Sequence, residues 1–294
     1  MKRFILILLL LLSLTGCGAK AEPADIAATT LPVYEFTLRL CEGTPLTVTR
    51  LVTEEVSCLH DYALNVWQVK AAEAAETIVI SGAGLEEFME DLLTGADVID
   101  ASREGIPFLI PEEGHDHEEE HHVEDGHHHE LDPHIWLSPV NAAIMAENIR
   151  AGLSQRYPDY AGQFEANEKK LIGELEALNA YGQETLKELS CRELITFHDG
   201  FSYFAECFGL TILEAVEEES GSEASARELI HLIKEVEHHN LPAIFTEISG
   251  STSAASVIAR ETGATAYCLD MAMAGDSYFD TMYYNITIMK EALQ

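Results

Sequence analysis

Apolar residues gather in short runs along this chain, each bounded by turn-forming residues. Ile26–Thr30, Leu46–Val52, Thr77–Ser81 and Asp97–Asp100 are four such runs in the first half; Glu193–Phe197, Thr211–Leu213, Pro242–Glu247 and Thr265–Leu269 are four in the second. Runs of this length read as strands, and the stretches between them carry helical periodicity. Pro32 stands in the first turn of a helix over Val33–Leu40, and Ser138-Pro139 supplies an N-cap and a first-turn proline to a helix over Val140–Gln155. Strands alternating with helices predict an α/β fold on mainly parallel sheets. From Pro158 to about Leu189 the pattern changes, with Leu171, Leu175, Leu178, Leu186 and Leu189 at helical spacing and charges elsewhere. A helix of that length would reach roughly 45 Å. The chain therefore reads as two lobes, residues 26–157 and 190–294, joined by a rigid connector helix over 158–189. A ligand cleft is expected between the C-terminal edges of the two sheets.

The longest apolar run stands at the N-terminus, where Met1-Lys2-Arg3 precedes Phe4 to Leu12 and then Ser13-Leu14-Thr15-Gly16-Cys17. A basic start, a short apolar stretch and small residues make residues 1–16 a secretory signal peptide, too short for a span of about 20 apolar residues. Leu14-Thr15-Gly16-Cys17 resembles the bacterial lipobox, which implies diacylation of Cys17, with residues 17–25 as a tether. The expected location is the extracytoplasmic face of a bacterial cell membrane. The 294 residues carry 17 Lys+Arg against 51 Asp+Glu, a formal net charge of −34, so no nucleic-acid partner is expected. The charge should instead concentrate cations. Besides Cys17 there are Cys41, Cys58, Cys191, Cys207 and Cys268. Cys41 and Cys58 flank one strand pattern and form the expected disulfide, with buried thiols as the alternative.

Gly114–Glu130 is a low-complexity segment with seven His (His115, His117, His121, His122, His127, His128, His129) and seven acidic residues. It has almost nothing to pack, so it is expected to be a mobile loop that captures borderline divalent cations such as zinc. Outside it, three histidines fall in loops of the strand and helix pattern. His60 follows the Leu46–Val52 strand, His134 precedes the Val140 helix, and His198 comes directly off the Glu193–Phe197 strand. Asp270 lies just past the Thr265–Leu269 strand. Three neutral imidazoles and one carboxylate suit a zinc ion. His231, His238 and His239 lie on an amphipathic helical pattern and read as solvated.

His60-Asp61-Tyr62, Asp132-Pro133-His134-Ile135-Trp136-Leu137-Ser138-Pro139, Thr196-Phe197-His198-Asp199-Gly200-Phe201 and Ile244-Phe245-Thr246-Glu247 occur in an order that resembles one family. It is the zinc and manganese solute-binding proteins of ABC importers (cluster A-I), most closely its high-affinity zinc-uptake branch. The resemblance covers essentially the whole mature chain and includes the long connector helix. It implies His60, His134, His198 and Asp270 as metal ligands, Zn2+ as the ion with Mn2+ as the alternative, and an importer permease with its ATPase as partners. A monomer tethered to the membrane by its lipid is expected. His198 and the His-rich loop favour zinc. Family members often carry Glu-Pro before the first His; Cys58-Leu59 stands here instead, which strengthens Asp270 as the fourth donor. Strand alternation puts Cys268 on the face of Asp270, as a thiolate ligand or a buried thiol. Asp61, Asp132 and Glu247 are candidates to orient the imidazoles; which carboxylate serves which ring is left open.

These residues predict a binding protein that hands captured zinc to a permease, not an enzyme. A zinc hydrolase needs an open coordination position; the one His-Glu-x-x-His spacing, His117–His121, falls inside the low-complexity segment, and no Gly-x-Ser-x-Gly pattern occurs. A surface zinc buffer or adhesin working through Gly114–Glu130 is the further alternative. Ligand imidazoles must be neutral, so affinity should fall as pH drops through about 6.5.

Overall fold

All eight apolar runs form strands in the computed structural model, which describes residues 24–294 except 57, 58, 60, 61, 111–130, 217–224, 249 and 251. The first four are β1 (Ile26–Ala28), β2 (Val48–Arg50), β3 (Thr77–Ile80) and β4 (Val98–Asp100), paired in parallel in the order β2-β1-β3-β4. The second four are β5 (Glu193–Thr196), β6 (Thr211–Ala215), β7 (Ala243–Glu247) and β8 (Thr265–Leu269), in the equivalent order β6-β5-β7-β8, again all parallel. In both sheets the chain reverses its direction of progress at the central pair, β1/β3 and β5/β7, where open α/β sheets leave a crevice. Parallel strands are covered on both faces, which is why they read as apolar runs rather than alternations.

The helices are α1 (Leu31–Leu40), α2 (Val66–Ala74), α3 (Glu90–Leu93), α4 (Pro139–Arg156), α5 (Ala161–Thr185), α6 (Ser202–Phe208), α7 (Ala226–His239), α8 (Ser253–Thr262) and α9 (Tyr278–Leu293). Ser138 caps α4, its hydroxyl accepting from Asn141 N at 3.3 Å, and Pro139 opens the first turn. Capping boxes start α2 at Asn65 with Gln68 and α7 at Ser225 with Glu228. The long helix between the sheets is α5; at 25 residues it spans about 37 Å, shorter than expected from the leucine pattern. A 3-10 turn at Pro158–Tyr160 precedes it, and Leu186 leaves helical geometry after it. Among the described residues, no helix is long and apolar enough to cross a membrane. The expected signal peptide, Cys17 and the tether up to residue 23 lie outside the described residues, while Asp25, at the end of that tether, accepts from Thr47 N and Oγ1 at 2.7 Å.

One hydrophobic core runs through both lobes, including Ile26, Phe36 and Trp136 from the first, Leu171 and Leu175 from α5, and Phe204, Phe245 and Tyr278 from the second. Hydrogen bonds cross the same boundary. Leu31 N donates to Met273 O at 3.0 Å, Trp136 Nε1 donates to Met271 O at 2.7 Å, and the Tyr278 hydroxyl donates to Trp136 O at 2.8 Å. Asn167, buried on α5, donates to Leu40 O and Glu42 O and so satisfies carbonyls left open at the end of α1. Cys41 is a free, buried thiol, the alternative to the disulfide expected with Cys58. It sits in the core at the end of α1, where burial pushes the thiol up to about 12; Cys58 lies outside the described residues.

Candidate metal centre

His134 sits in the turn that leads through a short 3-10 segment into α4, and both it and Asp132 are buried. Asp132 Oδ1 accepts from the His134 backbone N–H at 2.9 Å and meets His134 Nδ1 at 2.9 Å. A carboxylate can only accept, so Nδ1 carries the ring proton and Nε2 presents its lone pair. The same carboxylate thus shapes the turn and fixes the tautomer. Tyr203, from α6, closes this turn from the other lobe: its hydroxyl donates to Asp132 O at 3.0 Å and accepts from Leu109 N at 2.9 Å.

His198 leaves the end of β5, one of the two central strands of its sheet. Its Nδ1 is 3.5 Å from Oε1 of Glu247, the last residue of the neighbouring β7, and Glu247 is itself buried. The pairing of carboxylate with ring is therefore Asp132 with His134 and Glu247 with His198. The two outward nitrogens converge: His134 Nε2 and His198 Nε2 are 3.4 Å apart, with the rings nearly perpendicular at 84°. Two imidazole nitrogens bound at 2.0–2.1 Å to one tetrahedral zinc ion stand about 3.3–3.4 Å apart. Two lone pairs at that separation repel unless a cation lies between them.

Asp270 follows β8 and shares a small cavity with Glu55, Glu247 and Met271. Its Oδ1 accepts from Ala272 N at 2.8 Å, its own N–H donates to Asn285, and Asn285 donates back to Asp270 O. Burial raises its pKa, with a smaller push from the charge of Glu55, so a cation arriving here would relieve both. Among the described residues, the donor atoms of His134, His198 and Asp270 do not all lie within 4.8 Å of one another, so the carboxylate stands back from the imidazole pair. Cys268 is half-buried and burial raises its thiol, which favours the thiol over a thiolate. His60, Asp61 and the histidines from His115 to His129 lie outside the described residues. The flanks of His60 are anchored: Leu59 is buried, and the Tyr62 hydroxyl donates to Glu54 at 2.7 Å.

A family model described as ZnuA, zinc-uptake complex component A, periplasmic, matches residues 26–292. The chain belongs to the ZnuA family. ZnuA of Bacillus subtilis (strain 168) is 28% identical, over 95% of this chain and 90% of its own length. The zinc-binding lipoprotein AdcA of Streptococcus pneumoniae serotype 4 is 31% identical over 99% of this chain. This chain spans 61% of the length of that AdcA. Among solved structures, a crystal structure of ZnuA superposes with a TM-score of 0.76 at 29% identity, covering 92% of this chain and 99% of the other. The two-lobed α/β architecture with its long helix is thus that of ZnuA-type binding proteins.

Three features escaped the sequence, two at the site and one away from it. Tyr203 lies within a helical pattern that says nothing of its partner, and Gly200 is a single glycine after a histidine. The third concerns α7, where His231, His238 and His239 were expected to be solvated. His231 pairs with Glu214 at 3.2 Å on the surface, whereas His239 is partly buried and its Nδ1 is 2.9 Å from Glu193 Oε2. Contact between the end of α7 and the start of β5 is a tertiary fact that helical periodicity does not contain.

Proposed function

We propose that this protein is an extracytoplasmic receptor, anchored by lipid at Cys17, that captures Zn2+ between its lobes and delivers it to the permease and ATPase of an ABC importer. His134, His198 and His60 are the proposed imidazole ligands, with Asp270 moving in as the fourth donor. Asp132, Glu247 and Asp61 orient the rings, and the His-rich loop gathers zinc nearby. The observation that carries the reading is the 3.4 Å approach of His134 Nε2 and His198 Nε2, with a carboxylate behind each ring. An imidazole-rich donor set favours zinc over manganese. A shared core beneath the cleft restricts closure to a small movement, in contrast to a wide hinge swing.

The test uses protein lacking the lipidated Cys and Gly114–Glu130, loaded with zinc and passed over a chelating resin, beside a His198→Ala partner. One zinc per chain retained by the first and lost by the second is expected. If the loop-deleted protein retains none, the loop is the binder and the protein is a zinc buffer or adhesin.

A further inference from the structure

The last turn of α7 and the first residue of β5 bring four metal-binding side chains together at the opposite end of the C-terminal sheet from the cleft. Glu235, His238 and His239 follow the i, i+3, i+4 spacing that places side chains on one helix face, and their donor atoms all lie within 4.8 Å of one another. His239 Nε2 is 3.7 Å from Glu235 Oε2, and the His238 and His239 rings are 5.0 Å apart. Behind His239, Glu193 Oε2 holds Nδ1 at 2.9 Å. Glu193 therefore accepts the hydrogen bond of Nδ1–H and leaves the Nε2 lone pair facing Glu235, the arrangement that Asp132 makes with His134.

We infer that Glu235, His238 and His239 form a second site for zinc or a similar borderline divalent cation, with Glu193 as its positioning residue. Two imidazoles and one carboxylate are a zinc donor set, and water completes the coordination. Helix carbonyls at the end of α7 add partial negative charge where the cation would sit. His238 is exposed and free to turn its ring inward, while Glu235 and His239 are partly buried and hold their places. With three protein donors and open water positions, this site is weaker than the cleft and fills at higher zinc. It is also separate from it. Glu193 opens β5 and His198 lies past its end, a rise of roughly 16 Å at about 3.3 Å per residue. Zinc here would tie the end of α7 to the start of β5 and stabilise the C-terminal lobe whether or not the cleft is filled.

The test is a zinc sulfate titration of the full mature chain, with histidine modification by diethyl pyrocarbonate read residue by residue by mass spectrometry. Protection of His134 and His198 is expected with the first equivalent, and protection of His238 and His239 in a separate micromolar step. Glu235→Ala should weaken the second step by at least about tenfold and leave the first unchanged. His238→Ala, which removes an exposed side chain, should do the same to His239. His238 and His239 that remain fully reactive at millimolar zinc would overturn the site, as would a second step unmoved in Glu235→Ala. A missing first step with the second intact would instead overturn the cleft reading.

Discussion

Gly200, two residues after His198, stands where no side chain fits. A Cβ there would lie 2.4 Å from Met271 Cε and 2.8 Å from His198 Cδ2. The methionine end can turn away, but the imidazole is held between Glu247 and His134 and cannot move without losing its aim. Gly200→Ala is therefore expected to weaken zinc binding by about tenfold or more with little change in melting temperature, measured by competition with a chromophoric chelator. A second residue-level consequence concerns Glu86, fully buried between β1 and β3, which accepts from Thr29 Oγ1, Ser81 N and Gly82 N. Burial raises it from the ordinary 4.5 to about 7 despite those donors. An acid with a raised folded pKa binds its proton more tightly when folded. Its contribution to stability is full below the unfolded value and is lost as pH rises to about 7, by about 3 kcal/mol at roughly 1.4 kcal/mol per unit. Urea midpoints between pH 4.5 and 7 should fall with this slope, and Glu86→Gln should flatten it. The residue scale also shows what a sequence can carry. His134 and Asp132 are two positions apart, close enough to be candidates for a pair, though only the fold shows that they form one. His198 and Glu247 meet only because β5 and β7 are neighbours, which no spacing reveals.

Helix α5 depends on one glycine for its fit. A Cβ on Gly182 would stand 2.3 Å from Phe208 Cε1 and 3.1 Å from Ile286 Cδ1, so α6 and α9 approach the bare backbone of α5. Alanine would gain about 1 kcal/mol in helix propensity. The Phe208 ring, itself edge-on to Phe204 at 4.7 Å, has nowhere to retreat. Overpacking of this kind costs about 1–3 kcal/mol, so Gly182→Ala is expected to lower the denaturant midpoint rather than raise it. The elements themselves were legible because buried parallel strands are uninterrupted apolar runs and because Ser138-Pro139 marks a helix start by its chemistry. Their ends were less so. The leucine pattern runs on past Thr185 because Leu186 is buried by tertiary packing after the helix has stopped, and periodicity does not distinguish the two. Cys41 shows a related limit: its nearness to Cys58 in sequence suggests a bond, whereas the core takes it up as a small apolar residue.

At the scale of the whole molecule, a net charge of −34 draws counter-ions toward every surface, the cleft included. Zinc association is therefore expected to slow as ionic strength rises and the screening length shortens, which stopped-flow capture at low and physiological salt would show; a rate indifferent to salt would mean the field plays no part. The charge was readable from composition, and so was the division into two sheets. What composition could not show is that one core joins the two sheets, beside a smaller apolar cluster within each. The core that begins at Ile26 in β1 continues through Trp136 and α5 to Tyr278 in α9, and Glu35 on α1 accepts from Tyr278 N at 2.6 Å. Each lobe supplies one wall of the same packed interior. For the history of such proteins this means that the lobes are not exchangeable modules. A recombination joining halves of two relatives at α5 would set against each other surfaces shaped by different partners, and the offspring would be less stable than either parent. The two halves are inherited together because the largest of their cores is one that they share.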